Sequence, residues 1–138
     1  MALFSVPEVP DTGDLREDLV LCGRAYLHDA GRRAHVLAAV ITASRYDPAL
    51  REAARDALGA PYGGLFEHVL SRAVDRGLIP EGIDVETVAE VFPAIAYQRV
   101  AARGLLLVDD DVTRVVDNVL LPAVGAPRPT TGSARTAR

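Results

Sequence analysis

Residues 72–99, RAVDRGLIPEGIDVETVAEVFPAIAYQR, decide the fold because they contain the end of one helix, a short turn and the start of another. Gly77 follows helical residues and stands where a left-handed C-terminal cap belongs. Residues 80–82, Pro-Glu-Gly, make the connection. This stretch therefore predicts two helices joined by a polar turn.

The second helix of this stretch has a clear start signal. Asp84 can accept hydrogen bonds from the free N–H groups of the first turn, and Glu86 adds a negative charge there. We expect this fourth helix to run from about Val85 to Arg103, with Pro93 inside it.

Apolar residues at helical spacing predict two helices before this stretch. The first runs from about Asp14 to Ala30, and we expect Gly31 to end or interrupt it. The second covers about Arg32 to Arg45. Its residues 36–41 are apolar all round, which predicts a central helix buried on several sides.

A third and a fifth helix complete the pattern. The third begins at Asp47-Pro48, an N-cap followed by proline, and keeps helical spacing to Gly77. Residues 59–61, Gly-Ala-Pro, predict a kink or break within it, because proline has no N–H. The fifth helix starts after the aspartates 109–111 and ends near Leu121, before a proline.

The sequence therefore predicts an all-α fold, an antiparallel bundle of about five helices. A chain of 138 residues with 49% apolar residues suits one domain with a real core. We assign residues 14–125 to that domain, 1–13 to an extended lead-in and 126–138 to a disordered tail. The strand-like run 105–108 is too short to found a sheet.

Charge and cysteine content limit the class of protein. The net charge is −4 and no basic stripe is present, which argues against a domain that binds DNA by itself. The single Cys22 excludes an internal disulfide. No signal segment or membrane-length apolar run is visible, so we expect a cytoplasmic protein without a membrane partner.

No pattern of catalytic or metal-binding residues is visible. Cys22, His28, His35 and His68 are the soft ligands, and none of them forms a zinc-like spacing with another. Helix capping explains the aspartates 109–111, because a helix N-terminus attracts negative charge. We expect no metal, no cofactor and no catalytic residue, and hence no enzyme.

Aromatic residues offer a candidate binding site. They lie on different predicted helices that could converge, either as ordinary core or as the wall of a pocket with a few hydroxyl groups. Under the second interpretation the ligand-binding residues are Leu19, Cys22, Tyr26, Tyr62, Phe66, Phe92 and Tyr97.

The fourth and fifth helices offer a candidate interface. The fourth is apolar on two sides and the fifth carries a narrow valine stripe, so two copies could form an intermolecular four-helix bundle. In the alternative, both stripes close on the core of one chain. The candidate interface residues are Val88, Ile95, Val112, Val115, Val116, Val119 and Leu120.

Three sequence patterns together resemble a known family. They are the helix end 73–79 (AVDRGLI), the helix start 84–86 (DVE) and the segment 93–99 (PAIAYQR), with 47–50 (DPAL) in support. They resemble the C-terminal effector-binding and dimerisation domain of TetR-family transcriptional regulators over about residues 13–125. The resemblance implies a homodimer that senses a small, mostly apolar effector among its first four helices and responds allosterically.

The resemblance also implies a missing part. TetR regulators begin with a three-helix DNA-binding domain that contains a helix-turn-helix, and this chain starts after the point where that domain would end. We expect DNA binding only through such an N-terminal domain. The Met1-Ala2 start favours excision of that domain over its natural loss. Two alternatives remain: a small helical enzyme that uses the same cavity, and a free-standing dimerisation module.

Overall fold

The computed structural model describes residues 8–54 and 60–126, with the side chains of 29–38, 41, 54, 60–63 and 101 left out. Within these residues the fold is all helical, which confirms the predicted class. The elements are α1 (Leu15–Ser44), α2 (Pro48–Ala54), α3 (Ala60–Asp75), α4 (Val85–Arg103), α5 (Asp109–Val115), a π-helical turn (Val116–Leu120) and α6 (Leu121–Ala123).

Helix α1 is one continuous helix of 30 residues. Asp14 caps its start, since its carboxylate accepts from the backbone N–H of Glu17 at 3.1 Å. The predicted break at Gly31 is wrong. A glycine inside a helix costs only about 1 kcal/mol relative to alanine, so it does not end a helix that is long on both sides of it.

Helix α2 begins at Pro48, as predicted, because the Asp47 side chain accepts from the N–H groups of Ala49 and Leu50. Arg51 on this helix donates to the carbonyls of residues 44 and 45, which caps the C-terminus of α1. The kink or break predicted within the third helix at residues 59–61 falls partly on residues 55–59, which lie outside the described residues. Helix α3 starts at Ala60, so Pro61 occupies its first turn, where proline is tolerated.

The connection from α3 to α4 follows the sequence signals. Gly77 has a φ of +72°, and the N–H of Leu78 donates to the carbonyl of Ala73, as in a glycine-terminated helix. Asp84 accepts from both the backbone N–H and the hydroxyl of Thr87, at 3.1 and 2.7 Å. The predicted span of α4, with Pro93 inside it, is confirmed.

The last helical run, residues 109–123, differs from the regular helix that was predicted. It changes to a π-helical turn at Val116–Leu120, where the N–H of Leu121 donates to the carbonyl of Val116. It then continues as α6 through Pro122 to Ala123, beyond the predicted end. The wider turn accommodates a residue without an N–H, which explains why Pro122 does not end the run.

Helix α1 is central and packs against α3, α4, α5 and the π-helical turn. It runs antiparallel to the last helical run, because Arg16 pairs with Asp117 and Arg24 pairs with Asp109. Each pair is bidentate, with its shorter N–O distance at 2.7 Å. These two ion pairs mark the register of the two helices.

Gly23 directly precedes Arg24 on α1 and allows three helices to meet. A Cβ atom at this position would stand 2.6 Å from Cγ1 of Val112 on α5 and 3.1 Å from the ring of Phe92 on α4. Both of those side chains are fully buried. The position therefore tolerates no side chain without a shift of the core.

We predict opposite effects for the same substitution at two helical glycines. Gly23→Ala should destabilise the fold by about 1–3 kcal/mol, because the added methyl group overpacks the core. Gly64→Ala is the matched control, since nothing lies within 4 Å of its added Cβ, and it should stabilise by about 0.5–1 kcal/mol. Urea unfolding of the two variants measures both changes. Equal effects would contradict the close approach at Gly23.

Candidate functional site

Three aromatic rings from three helices meet in the core. Phe66 of α3 stacks on Phe92 of α4, with ring centroids 5.2 Å apart. Tyr26 of α1 meets Phe92 edge to face at 5.6 Å. Both phenylalanines are fully buried and Tyr26 is partly exposed. We call these three residues the aromatic cluster.

The structure places the other candidate ligand-binding residues differently. Leu19 and Cys22 are fully buried in the same core as the aromatic cluster. Tyr97 is 48% exposed, because five residues after Phe92 corresponds to a rotation of about 140° around the helix. The side chain of Tyr62 lies outside the described residues. The structure thus brings five of the seven candidates into one core and leaves Tyr97 at the surface of α4.

The Cys22 thiol and the Tyr26 hydroxyl are held in their neutral forms. Burial raises the pKa of the Cys22 thiol to about 12, and the negative charge of Asp18 adds to the effect. Burial also raises the pKa of Tyr26. A protonated thiol is a poor nucleophile and a poor metal ligand, so the region offers apolar contact and the hydroxyl group of Tyr26 rather than covalent chemistry.

A buried carboxylate beside this region was missed in the sequence. Asp18 is 4% exposed and accepts from Thr12 and from Arg72 of α3. The signal lay in Arg72, which interrupts the apolar stripe of α3 and needs an acidic partner when it is partly buried. Pairing it with Asp18 required the fold, because 54 residues separate the two.

An open polar groove of about 480 Å³ runs along the outer side of α3. Its described lining residues all come from that helix: Gly64, Glu67, His68, Ser71, Arg72 and Asp75. The mixed charges of this lining differ from the apolar walls that an apolar effector would need. The aromatic cluster therefore remains the better candidate.

The candidate interface residues divide into two groups. Val112, Val116 and Leu120 are fully buried and Val115 is 8% exposed, so these four belong to the chain's own core, as the alternative interpretation of the stripe expected. Val119 is 39% exposed, and Val88 and Ile95 are half-buried on α4. A partner could reach only these last three directly.

Two of the aspartates 109–111 have separate side-chain roles. Asp109 pairs with Arg24, and this hydrogen bonding lowers the pKa of the carboxyl group. Asp111 caps the helix start by accepting from the N–H of Val108 at 3.0 Å, and it lies 3.5 Å from Arg99. Capping therefore explains one carboxylate, while the cross-helix pairing of Asp109 was missed. Among the described residues, no group of three or more potential ligands could hold a metal ion.

No helix in the described part of the chain combines the length and the apolar character needed to cross a bilayer.

The known proteins similar to this chain are described as transcriptional regulators. The sequence model of the tetracyclin repressor-like C-terminal domain matches residues 9–119. A DNA-binding transcriptional repressor TetR of Mycobacteroides abscessus is 36% identical over 120 residues, which cover 83% of this chain and 60% of that protein. Uncharacterised HTH-type transcriptional regulators of Mycobacterium bovis and Mycobacterium tuberculosis are 28% identical over 115 residues, 83% of this chain and 57% of each regulator. The chain thus spans less than two thirds of the length of these relatives.

We predict that the Cys22 thiol resists modification in the folded protein. Iodoacetamide at pH 8 should label it slowly, because the thiol is fully buried and its pKa is raised to about 12. The same reagent should label it rapidly in guanidinium chloride, as mass spectrometry would record. Rapid labelling of the native protein would show that Cys22 is accessible and ionised.

Proposed function

This chain belongs to the family of tetracyclin repressor-like C-terminal domains, and on that basis we propose that it is the effector-binding and dimerising part of a TetR-like transcriptional repressor. The match over residues 9–119 carries the proposal, and the Mycobacteroides abscessus relative described as a repressor supports it. Sequence-specific DNA binding then requires a helix-turn-helix domain beyond these residues. Such a regulator would work in the cytoplasm, where it meets DNA.

The effector in this proposal is a small, mostly apolar molecule bound at the aromatic cluster, with Leu19 and Cys22 as further walls. Because Phe66 and Phe92 are stacked and fully buried, a ligand has to displace a ring or enter beside the partly exposed Tyr26. The aromatic faces of the cluster favour a planar apolar compound. Tyr62 stays a candidate from the sequence, whereas the exposed Tyr97 would lie at the periphery.

The enzyme alternative receives no support from the described residues. A reaction would need a titratable group tuned toward neutral pH, whereas the raised pKa of Cys22 makes this thiol less reactive. The proposal therefore assigns no catalytic role to the aromatic cluster.

The proposed dimer uses the outward sides of α4 and the last helical run. Val88 and Ile95 lie one heptad apart on α4 and remain half-buried, and Val119 is 39% exposed. Apolar side chains in these positions would gain burial in an intermolecular four-helix bundle. Effector binding would then act by shifting the dimer between two arrangements.

We predict that a planar apolar probe stabilises the protein. Naphthalene at about 100 times its dissociation constant should add roughly 2.7 kcal/mol, which appears as a higher Tm. Phe66→Leu should reduce this shift, because it removes the ring that stacks on Phe92. The matched control Tyr97→Leu should leave it unchanged. A Tm that does not respond to naphthalene or to related bicyclic aromatics would contradict the effector site.

We predict a homodimer in sedimentation at micromolar concentration, with twice the chain mass of 14.7 kDa. Val119→Arg should give a folded monomer, because it places a charge in the interface without entering the core. Val116→Arg is unsuitable, since that side chain is fully buried and the variant would unfold. The control Tyr46→Arg, at a residue 88% exposed, should stay dimeric. A monomeric wild-type chain would refute the dimer.

A further inference from the structure

We infer that Arg72 locks residues 10–12, which we call the strap, onto α1 and α3, and that packing of the aromatic cluster controls how firmly the strap is held. The strap is the segment through which the chain enters α1. The inference goes beyond the proposed function, because the coupling operates whether or not the aromatic cluster binds an effector.

Arg72 contacts both the strap and α1. Its Nη2 donates to the carbonyl of Pro10 and to Oδ2 of Asp18, the latter at 3.3 Å. The same atom lies 3.7 Å from Oδ1 of Asp11. The side chains of Arg72 and Asp18 are only 18% and 6% exposed, so these charge-assisted bonds are shielded from water. One guanidinium therefore joins three parts of the chain.

Asp18 completes the connection from the other side. Its Oδ1 accepts from the backbone N–H of Thr12 at 2.8 Å and from the Thr12 hydroxyl at 2.7 Å, while its Oδ2 faces Arg72. Each carboxylate oxygen thus serves a different partner, the strap on one side and α3 on the other. The Thr12 amide reports directly on whether the strap is docked.

A second ion pair holds the strap more weakly. Arg76 forms a bidentate pair with Asp11 at 2.8 and 3.1 Å, and this hydrogen bonding lowers the pKa of Asp11. Both side chains are nearly half exposed, at 46% and 48%. Exposed pairs contribute little to stability, so Arg72 rather than Arg76 should dominate.

The strap and the aromatic cluster share two rigid elements. Phe66 and Arg72 lie on α3 six residues apart, about 9 Å along its axis. Asp18 and Tyr26 lie on α1 about two turns apart. A change in ring packing that moves α3 relative to α1 must therefore change the distance between Arg72 and Asp18. The hydrogen bonds that hold the strap on these two residues would change with it.

Amide exchange of Thr12, followed by NMR, tests the lock. Arg72→Met keeps the aliphatic stem and should accelerate Thr12 exchange by about tenfold or more, because the strap loses its shielded partner. Arg76→Met should have a smaller effect. Arg24→Met, which breaks the exposed pair between α1 and Asp109 of α5, is the control and should leave Thr12 unchanged. Equal exchange in Arg72→Met and wild type would overturn the lock.

A double-mutant cycle tests the coupling. Phe66→Leu should also accelerate Thr12 exchange, and adding it to Arg72→Met should give less than the product of the two single effects. Multiplicative effects would overturn the coupling while leaving the lock intact. If Arg72→Met does not fold, Arg72→Lys keeps the positive charge but lacks the guanidinium group with its several N–H donors, and it should still accelerate exchange of the Thr12 amide. An effect of naphthalene on Tm is independent of all these outcomes.

Discussion

Gly23 has no side chain, and that missing carbon determines how closely α1 approaches α4 and α5. Val112 and Phe92 occupy the space that a Cβ atom would need, so two other helices reach the central one at a single residue. The aromatic cluster lies next to this point, because Phe92 packs against Gly23 and also contacts the rings of Tyr26 and Phe66. The ion pairs of Arg16 and Arg24 flank it on the same side of α1. Close packing at one glycine therefore sets the register of the last helical run and the position of the candidate site.

The polar groups are arranged around this apolar centre according to their exposure. The Arg24–Asp109 pair lies at the surface, where solvent screens it and its main effect is on alignment. Asp18 and Arg72 are shielded, so each needs its partner much more. The negative charge of Asp18 also affects the core, because it contributes to the raised pKa of Cys22 one turn further along α1. The strap, the shielded ion pair and the aromatic cluster thus form one continuous region.

Local signals in the sequence were sufficient for most helix boundaries. The caps at Asp84 and Gly77 act within a few residues, so they could be recognised without knowing the fold. The predictions that were wrong or missing depend on contacts between residues far apart in the sequence, or on small differences in free energy. The cost of Gly31 is too small to break α1, and the valines of the last helical run could not be assigned to core or interface from periodicity alone. The partners of Arg16 and Arg72 lie 101 and 54 residues away, beyond the reach of any spacing rule.

The π-helical turn at Val116–Leu120 acts as a phase correction for the apolar stripe. In a regular α-helix each residue advances by about 100°, so Leu121 would point roughly opposite to Val112. Both are nevertheless buried, together with Val124 beyond them. The turn accommodates nearly one extra residue. The apolar side chains that follow it therefore point to the same side of the run as those that precede it. A chain that kept perfect helical geometry here would expose leucine to water, so local irregularity preserves the continuity of the core.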